Sequence, residues 1–280
     1  MTRSNSTSNS PSIGVAFDGT DVSLRSRAMD LARSLDVPLI DDAPAAAAGS
    51  DLLLVVTARG LELRELTRRN ARPIRVDFAA GPLARRRLTG VSRKQPIARA
   101  IGIRAGHTNV LDATAGWGRD TFLLACLGCT VVAIERSAVL AALLADALDR
   151  ARGAGDARLT DILDRITLVQ ADARDVLAGW VSNRDGERSA ILSMRPDVIY
   201  LDPMYAHERK SALSKVEIRV CRMLVGDDPD ANELFVLARR CAPSRVVVKR
   251  HRHAPPLAPD PDMSFEGTNT RYDVYLTRKT

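Results

Sequence analysis

Residues 109–135 read NVLDATAGWGRDTFLLACLGCTVVAIE, and this stretch decides the fold. A short apolar run over 109–113 closes on an acid, Asp112. A loop punctuated by Gly116 and Gly118 follows, and residues 117–127 have helical spacing, with Gly128 where a helix C-terminal cap belongs. A second apolar run, 130–135, ends in Glu135. Strand, tight glycine loop, helix and strand in succession predict adjacent parallel strands joined by a crossover helix.

The same rhythm continues toward the C-terminus. Apolar runs at 166–170, 197–202 and 245–249 read as further strands, and 271–277 as a last one able to run antiparallel. Helical spacing over 138–151, 212–224 and 231–241 supplies the connections. Alternation of this kind gives a sheet covered by helices on both faces, with ligands held at the carboxyl ends of its strands. Toward the N-terminus the signals are weaker. Residues 13–17, 51–57 and 73–78 read as strands, 26–35 and 61–69 as helices, and 43–49 as an alanine-rich loop. Gly81-Pro82 breaks the pattern before an arginine-rich segment. The organisation expected is therefore a disordered, Ser- and Asn-rich tail over 1–12, a small N-terminal α/β region over 13–105, and a catalytic domain over 106–280.

Composition narrows the class. Hydrophobic residues make up 45% of the 280, enough for a large core, and no apolar run is long enough to cross a bilayer, so a cytoplasmic, soluble protein is expected. Four cysteines in a chain of this length do not make a disulfide scaffold. Cys126 and Cys129 form a C-x-x-C, but no second close pair completes a zinc site, and no metal is expected. The net charge is +7, and residues 59–104 hold thirteen basic residues against three acids. A surplus of that size in one segment concentrates a polyanion, although a solvated arginine-rich surface reads the same way.

The chemistry lies in acids at strand ends. Asp112, Glu135, Asp172 and Asp202 each end or closely follow a predicted strand. A sheet core has no structural need for carboxylates there, because unpaired buried charge is costly. Gly116 and Gly118 let the backbone approach a ligand at a helix N-terminus. Glu135, 17 residues beyond Gly118, is spaced to grip the ribose hydroxyls of an adenosine. Two details favour S-adenosylmethionine over a dinucleotide: Asp112 would repel a pyrophosphate but suits a methionine ammonium, and Thr121 stands where a dinucleotide loop has its third glycine. A nicotinamide dehydrogenase is the competing reading of this loop. At the fourth strand the sequence is Asp202-Pro203-Met204-Tyr205. The Asp202 carboxylate and the Pro203 carbonyl can accept the two N–H bonds of a base amine, while Tyr205 stacks on the base.

With these residues in view, the chain resembles the small-subunit ribosomal RNA methyltransferase J family from about residue 76 to 275. The resemblance rests on VDF (76–78) with Arg85, Arg86 and Arg87, DATAGWGRD (112–120), Glu135-Arg136 and YLDPMY (200–205). It continues through KSALSK (210–215), EIR (217–219), LVG (224–226), RVVVKR (245–250) and APPL (254–257). It implies a Rossmann-like class I methyltransferase sheet with a small N-terminal α/β extension, S-adenosylmethionine as cofactor, and transfer to the N2 amine of a guanine in 16S rRNA. It further implies cofactor contacts from Arg119, Asp120, Glu135, Arg136, Asp172 with Ala173, and Asp202. Family members carry serines where this chain has Asp172 and Ala173, and Phe where it has Tyr205. Lys210, Lys215, Arg219, Lys249 and Arg250 flank the proposed strand ends and, with Arg85, Arg86 and Arg87, are candidate phosphate contacts to 16S rRNA or the small ribosomal subunit. Transfer to DNA or to a protein glutamine, and RNA binding without catalysis, are the other functions open to such a chain.

Overall fold

The computed structural model describes residues 11–40, 49–182, 196–204, 215–226, 230–241 and 244–277. Residues 1–10 of the expected tail, and 43–48 of the alanine-rich loop, lie outside them. The chain divides into two units, one comprising Met1–Arg75 with Leu213–Gly226, the other Val76–Ala212 with Asp227–Thr280. The boundary thus falls thirty residues before the one read from sequence, and the first unit takes back a later segment.

In the first unit, β1 (Ile13–Phe17) runs parallel to β2 (Leu52–Thr57), with α1 (Val22–Leu35) between them in the chain. Asp21 caps α1 by accepting the Ser23 N–H at 2.8 Å. Ser12 belongs to the folded unit rather than to the expected tail, since its hydroxyl and main chain bond to Gly49 and Asp51. Residues 61–69 do not form the predicted helix. Gly60, at φ +117°, lets the chain turn back within two residues, and β3 (Gly60–Glu65) pairs antiparallel with the whole of β2. The ladder satisfies backbone groups that a short uncapped helix would leave open. The strand expected over 73–78 is also absent. Its alternation is genuine, with Ile74, Val76 and Phe78 buried, but a single bridge, Leu63 to Ile74, is all the pairing it makes.

The second unit is built on seven strands in the order β6-β5-β4-β7-β8-β10-β9. These are β4 (Asn109–Asp112), β5 (Thr130–Glu135), β6 (Ile166–Gln170), β7 (Val198–Leu201), β8 (Arg245–His251), β9 (Met263–Glu266) and β10 (Thr270–Leu276). Strands β4 to β8 are parallel, and β10 runs antiparallel to both neighbours. The order reverses between β4 and β7, which places a ligand crevice at their carboxyl ends. Alternate residues feed two cores. Val110, Val198, Tyr200 and Val247 pack with α3 (Pro96–Ile101) and α4 (Arg119–Cys126). Leu111, Ile199, Leu201, Val246 and Val248 pack with α7 (Ala173–Val181) and α9 (Ala231–Arg240). Burial on both faces explains why these strands read as continuous apolar runs. The arginine-rich segment holds two helices not foreseen, α2 (Gly81–Thr89) and α3, each with proline in its first turn. Other connections are α5 (Ala138–Arg152) and α6 (Ala157–Leu163). The C-x-x-C is structural: Cys126 closes α4, Gly128 follows at φ +95°, and burial pushes the Cys126 and Cys129 thiols up to about 11.

Helix α8 (Lys215–Val225) follows β7 in the chain yet belongs to the first unit. Its Arg219 donates to Glu65 through Nε at 2.7 Å and through a second guanidinium nitrogen. The Glu65 side chain is 1% exposed. The bonds from Arg219, against the cost of burial, hold its carboxyl below the usual range. A carboxyl with a depressed folded pKa contributes stability that is complete above its unfolded value of about 4.3 and lost as pH falls through the folded one. We expect Glu65→Gln to destabilise the protein by about 2–4 kcal/mol at neutral pH. In urea titrations the gap between wild type and variant should shrink on acidification toward pH 3. A gap of constant size would show that the ion pair does not stabilise the unit.

Candidate active site

The loop from β4 to α4 is stitched to the strands on either side. Ala113 N–H donates to the Tyr200 carbonyl at the end of β7, and Ala115 N–H to the Ile134 carbonyl in β5, each at 3.0 Å. Gly116 and Gly118 both adopt left-handed backbone, at φ +54° and +70°. A Cβ at Gly118 would come within 2.5 Å of Leu144 Cδ2, whereas one at Gly116 would meet nothing nearer than 3.9 Å. Gly118 is required by packing against α5; Gly116 leaves its backbone open to close approach.

The acids at the strand ends have different tasks. Asp112 is 1% exposed, and its oxygens accept from Thr121 Oγ1 at 2.6 Å and Thr114 N at 3.2 Å. It faces inward and holds the loop. Burial, reinforced by repulsion from Asp120 and Asp202, pushes its carboxyl up to about 7, with the Thr121 bond opposing. Glu135 accepts the Gly116 N–H and the Ser137 N–H, both at 2.7 Å, and so fixes the glycine loop to the start of α5. Asp172 caps α7 and is gripped by the Arg174 side chain, which holds its carboxyl below the usual range. Ala173 is buried behind it. Arg136 donates to Asp230 at 2.8 Å, and Arg174 reaches Asp230 and Glu233, which links the end of β5 to the start of α9.

Asp202, just beyond β7, is the most accessible of the strand-end acids, with 36% of its side chain exposed. Its main-chain N–H donates to Thr114 Oγ1 at 2.6 Å, tying it to the glycine loop. Lys249 donates to Asp202 Oδ2 and to Asp120 Oδ2, both at 2.7 Å, and Tyr200 donates its hydroxyl to the same Asp120 oxygen at 2.7 Å. Asp120 is thereby turned toward Lys249 in the first turn of α4, beside Arg119 at its start. Pro203 is buried, and Tyr205 lies outside the described residues.

The basic residues singled out from sequence separate into two groups. Four have partners within the protein. Lys249 is held by two acids, Arg219 by Glu65, and Arg87 by Asp156 at 2.7 Å. Arg250 is 6% exposed, with Nε on the Pro255 carbonyl. Arg85 is exposed on α2, which also contains Arg86, and Lys215 opens α8. Lys210 lies outside the described residues. Thr121 enters the sequence reading only as the residue in the third-glycine place, and Thr114, Tyr200, Arg174 and Asp230 are not among its candidate site residues. Thr114 and Thr121 flank the glycines, and their hydroxyls were the available signal; nothing local marks the partners of Arg174.

The donor set fits S-adenosylmethionine: carboxylates at three strand ends, Glu135, Asp172 and Asp202, beside a glycine loop open at Gly116. Comparison with known proteins agrees. A family model of SAM-dependent methyltransferases (SAM_MT) matches residues 43–277. Ribosomal RNA small subunit methyltransferase J of Thioalkalivibrio sulfidiphilus is 46% identical over 91% of this chain and 94% of its own length. The protein of that name from Dechloromonas aromatica is 45% identical over 90% and 96%. The crystal structure of the SAM-dependent methyltransferase NGO1261 from Neisseria gonorrhoeae superposes with a TM-score of 0.67 at 29% identity, covering 95% of this chain and 97% of that one. A full-length match in sequence, together with the same fold in a solved methyltransferase, places this S-adenosylmethionine-dependent chain in the ribosomal RNA small subunit methyltransferase J family.

Proposed function

We propose that the protein transfers a methyl group from S-adenosylmethionine to the exocyclic N2 amine of a guanine in 16S rRNA, as free RNA or in the small ribosomal subunit, in the cytoplasm. The observation that carries this is Asp202. It is an accessible carboxylate at the sheet's switch point, bonded through its own backbone to the glycine loop and followed by Pro203. The relatives' names supply the rRNA, DPMY suggests an amine on a base, and the family resemblance supplies the guanine.

When bound, S-adenosylmethionine supplies an electrophilic methyl group on a sulfonium. The protein's part is to hold and orient. Asp202 and the Pro203 carbonyl accept the amine's two N–H bonds and turn its lone pair toward the methyl. On gaining its methyl group the amine becomes acidic, and Asp202 would be placed to receive its proton. Tyr205 stacks on the base. Arg119, Asp120, Glu135 and the Asp172–Ala173 turn line the cofactor side, with Glu135 on the ribose. Arg85, Arg86, Lys210 and Lys215 are the remaining candidates for phosphate contacts.

Labelled methyl offered to unmodified small-subunit rRNA, assembled subunits and DNA, followed by nucleoside analysis, tests the reading. Label in N2-methylguanosine is expected; label on DNA, or none anywhere, would remove the rRNA assignment. Asp202→Ala should lower turnover by about a thousandfold while leaving RNA affinity within about threefold. Near-normal turnover would dismiss the amine-orienting role. Gly118→Ala, forced into left-handed backbone against Leu144, should weaken cofactor binding at least tenfold by calorimetry and lower Tm. Unchanged affinity would show that the loop's shape does not depend on that glycine.

A further inference from the structure

The Lys249 ammonium stands where three chain segments meet. It comes from β8, whose neighbour β7 pairs Leu201 with Val248, so that Lys249 lies beside Asp202 as the chain leaves the sheet. Its two carboxylate partners are Asp202 and Asp120, the latter in the first turn of the helix that closes the glycine loop. The groups facing it are Asp120 from α4, Asp202 after β7, Tyr200 from β7 and Tyr272, its register partner on β10; Asp112 lies behind the two aspartates and is repelled by both. Only a fifth of the Lys249 side chain is exposed. Burial works against its charge, but the two aspartates outweigh it and hold the ammonium well above its ordinary pKa.

We propose that Lys249 is a positioning residue for methyl transfer, its ammonium fixing the Asp202 carboxylate to Asp120 so that the amine acceptor and the cofactor loop form one rigid piece. This rests on the methyl-transfer reading above. Three observations support it. Lys249 spans two acids that the sequence separates by 82 residues, and both bonds are short at 2.7 Å. Asp120 is itself held by the Tyr200 hydroxyl, so the anchor is braced from the strand that carries Asp202. Asp202 is tied to the loop a second time through Thr114 Oγ1, which leaves its backbone and its carboxylate each fixed to a different part of the same loop and helix. A carboxylate has about four acceptor positions, so a bond to lysine at one oxygen is compatible with receiving an amine N–H. The lysine also offsets the repulsion between Asp120 and Asp202, which would otherwise push their carboxylates apart.

The test is single-turnover methyl transfer to unmodified small-subunit rRNA by wild type, Lys249→Met, Lys249→Gln and Lys249→Arg, across about pH 5 to 9. For Lys249→Met we expect the rate to fall on the order of a hundredfold, with KM for RNA within about threefold, because misplacement at the reacting centre costs rate rather than binding. The acidic limb of its rate profile should move to higher pH, since a carboxylate deprived of an adjacent cation holds its proton more tightly. Lys249→Arg should return the limb to the wild-type position and recover part of the rate. A limb that stays in place, with only Tm or the yield of folded protein reduced, would make Lys249 structural and overturn the proposal, as would a wild-type rate in Lys249→Met. Should Lys249→Met not fold, Lys249→Gln keeps a donor without the charge and must show the same shifted limb; an unshifted limb there overturns the proposal equally. Absence of transfer by wild type itself would mark failure of the methyl-transfer reading and take this proposal with it.

Discussion

Several carboxylates gather at one edge of the parallel sheet, and the arrangement of that edge follows from how their mutual repulsion is relieved. Two like charges about 4 Å apart repel by roughly 4 kcal/mol at an effective dielectric of about 20, which a marginally stable fold does not absorb unaided. Each acid is relieved differently. Asp112 is buried and held by Thr121, with its carboxyl pushed up to about 7. Glu135 receives two backbone N–H groups, and Asp172 a guanidinium. Asp120 and Asp202 share a single ammonium. The glycine loop, the start of α4 and the turn after β7 all take their shapes from these bonds, so the site's geometry and its charge balance are one problem with one solution.

Much of this edge was legible in the sequence because it is local. The order of apolar runs and the acid closing each of them predicted the sheet, and β5 and β6 have the bounds that the pattern suggests. The acids themselves were found for a simple reason: a carboxylate after a buried strand has few structural explanations. What the sequence hides is partnership across distance. Nothing near Lys249 tells a reader that its amine faces inward to two aspartates, and a run such as RVVVKR invites the opposite interpretation. Arg219 and Arg87 misled for the same reason, because Glu65 and Asp156 lie far away in sequence. Local chemistry also failed at β3, where Leu61, Leu63 and Leu66 carry enough helical spacing to mask a hairpin that Gly60 makes possible. In the arginine-rich segment Gly81-Pro82 reads as a break, although Pro82 sits in a first turn, where proline favours a helix.

The network around Arg174 shows how the far end of the site is held. Asp172 caps α7, Arg174 grips that cap, and Asp230 at the start of α9 joins Arg174 to Arg136 beyond β5. Three elements that share one apolar core are thus also tied by charges at the carboxyl edge. Ion pairs of partly exposed groups contribute little each to stability, and their value here is directional. They fix where the ends of α7 and α9 sit relative to β5, on the side of the sheet where Glu135 stands.

The first unit is discontinuous, and that has a consequence for how the gene can be divided. Helix α8 is encoded after the strand that carries Asp202, but the residue that receives its arginine, Glu65, is encoded near the start. A fragment beginning at Val76 would still translate α8, with the Arg219 guanidinium deprived of its carboxylate and the apolar face of the helix deprived of its own unit. Recombination that exchanged the N-terminal segment between relatives would separate the same two halves unless both were exchanged together. The two segments are one heritable module written in two places, and substitutions at position 65 are constrained by what stands at position 219.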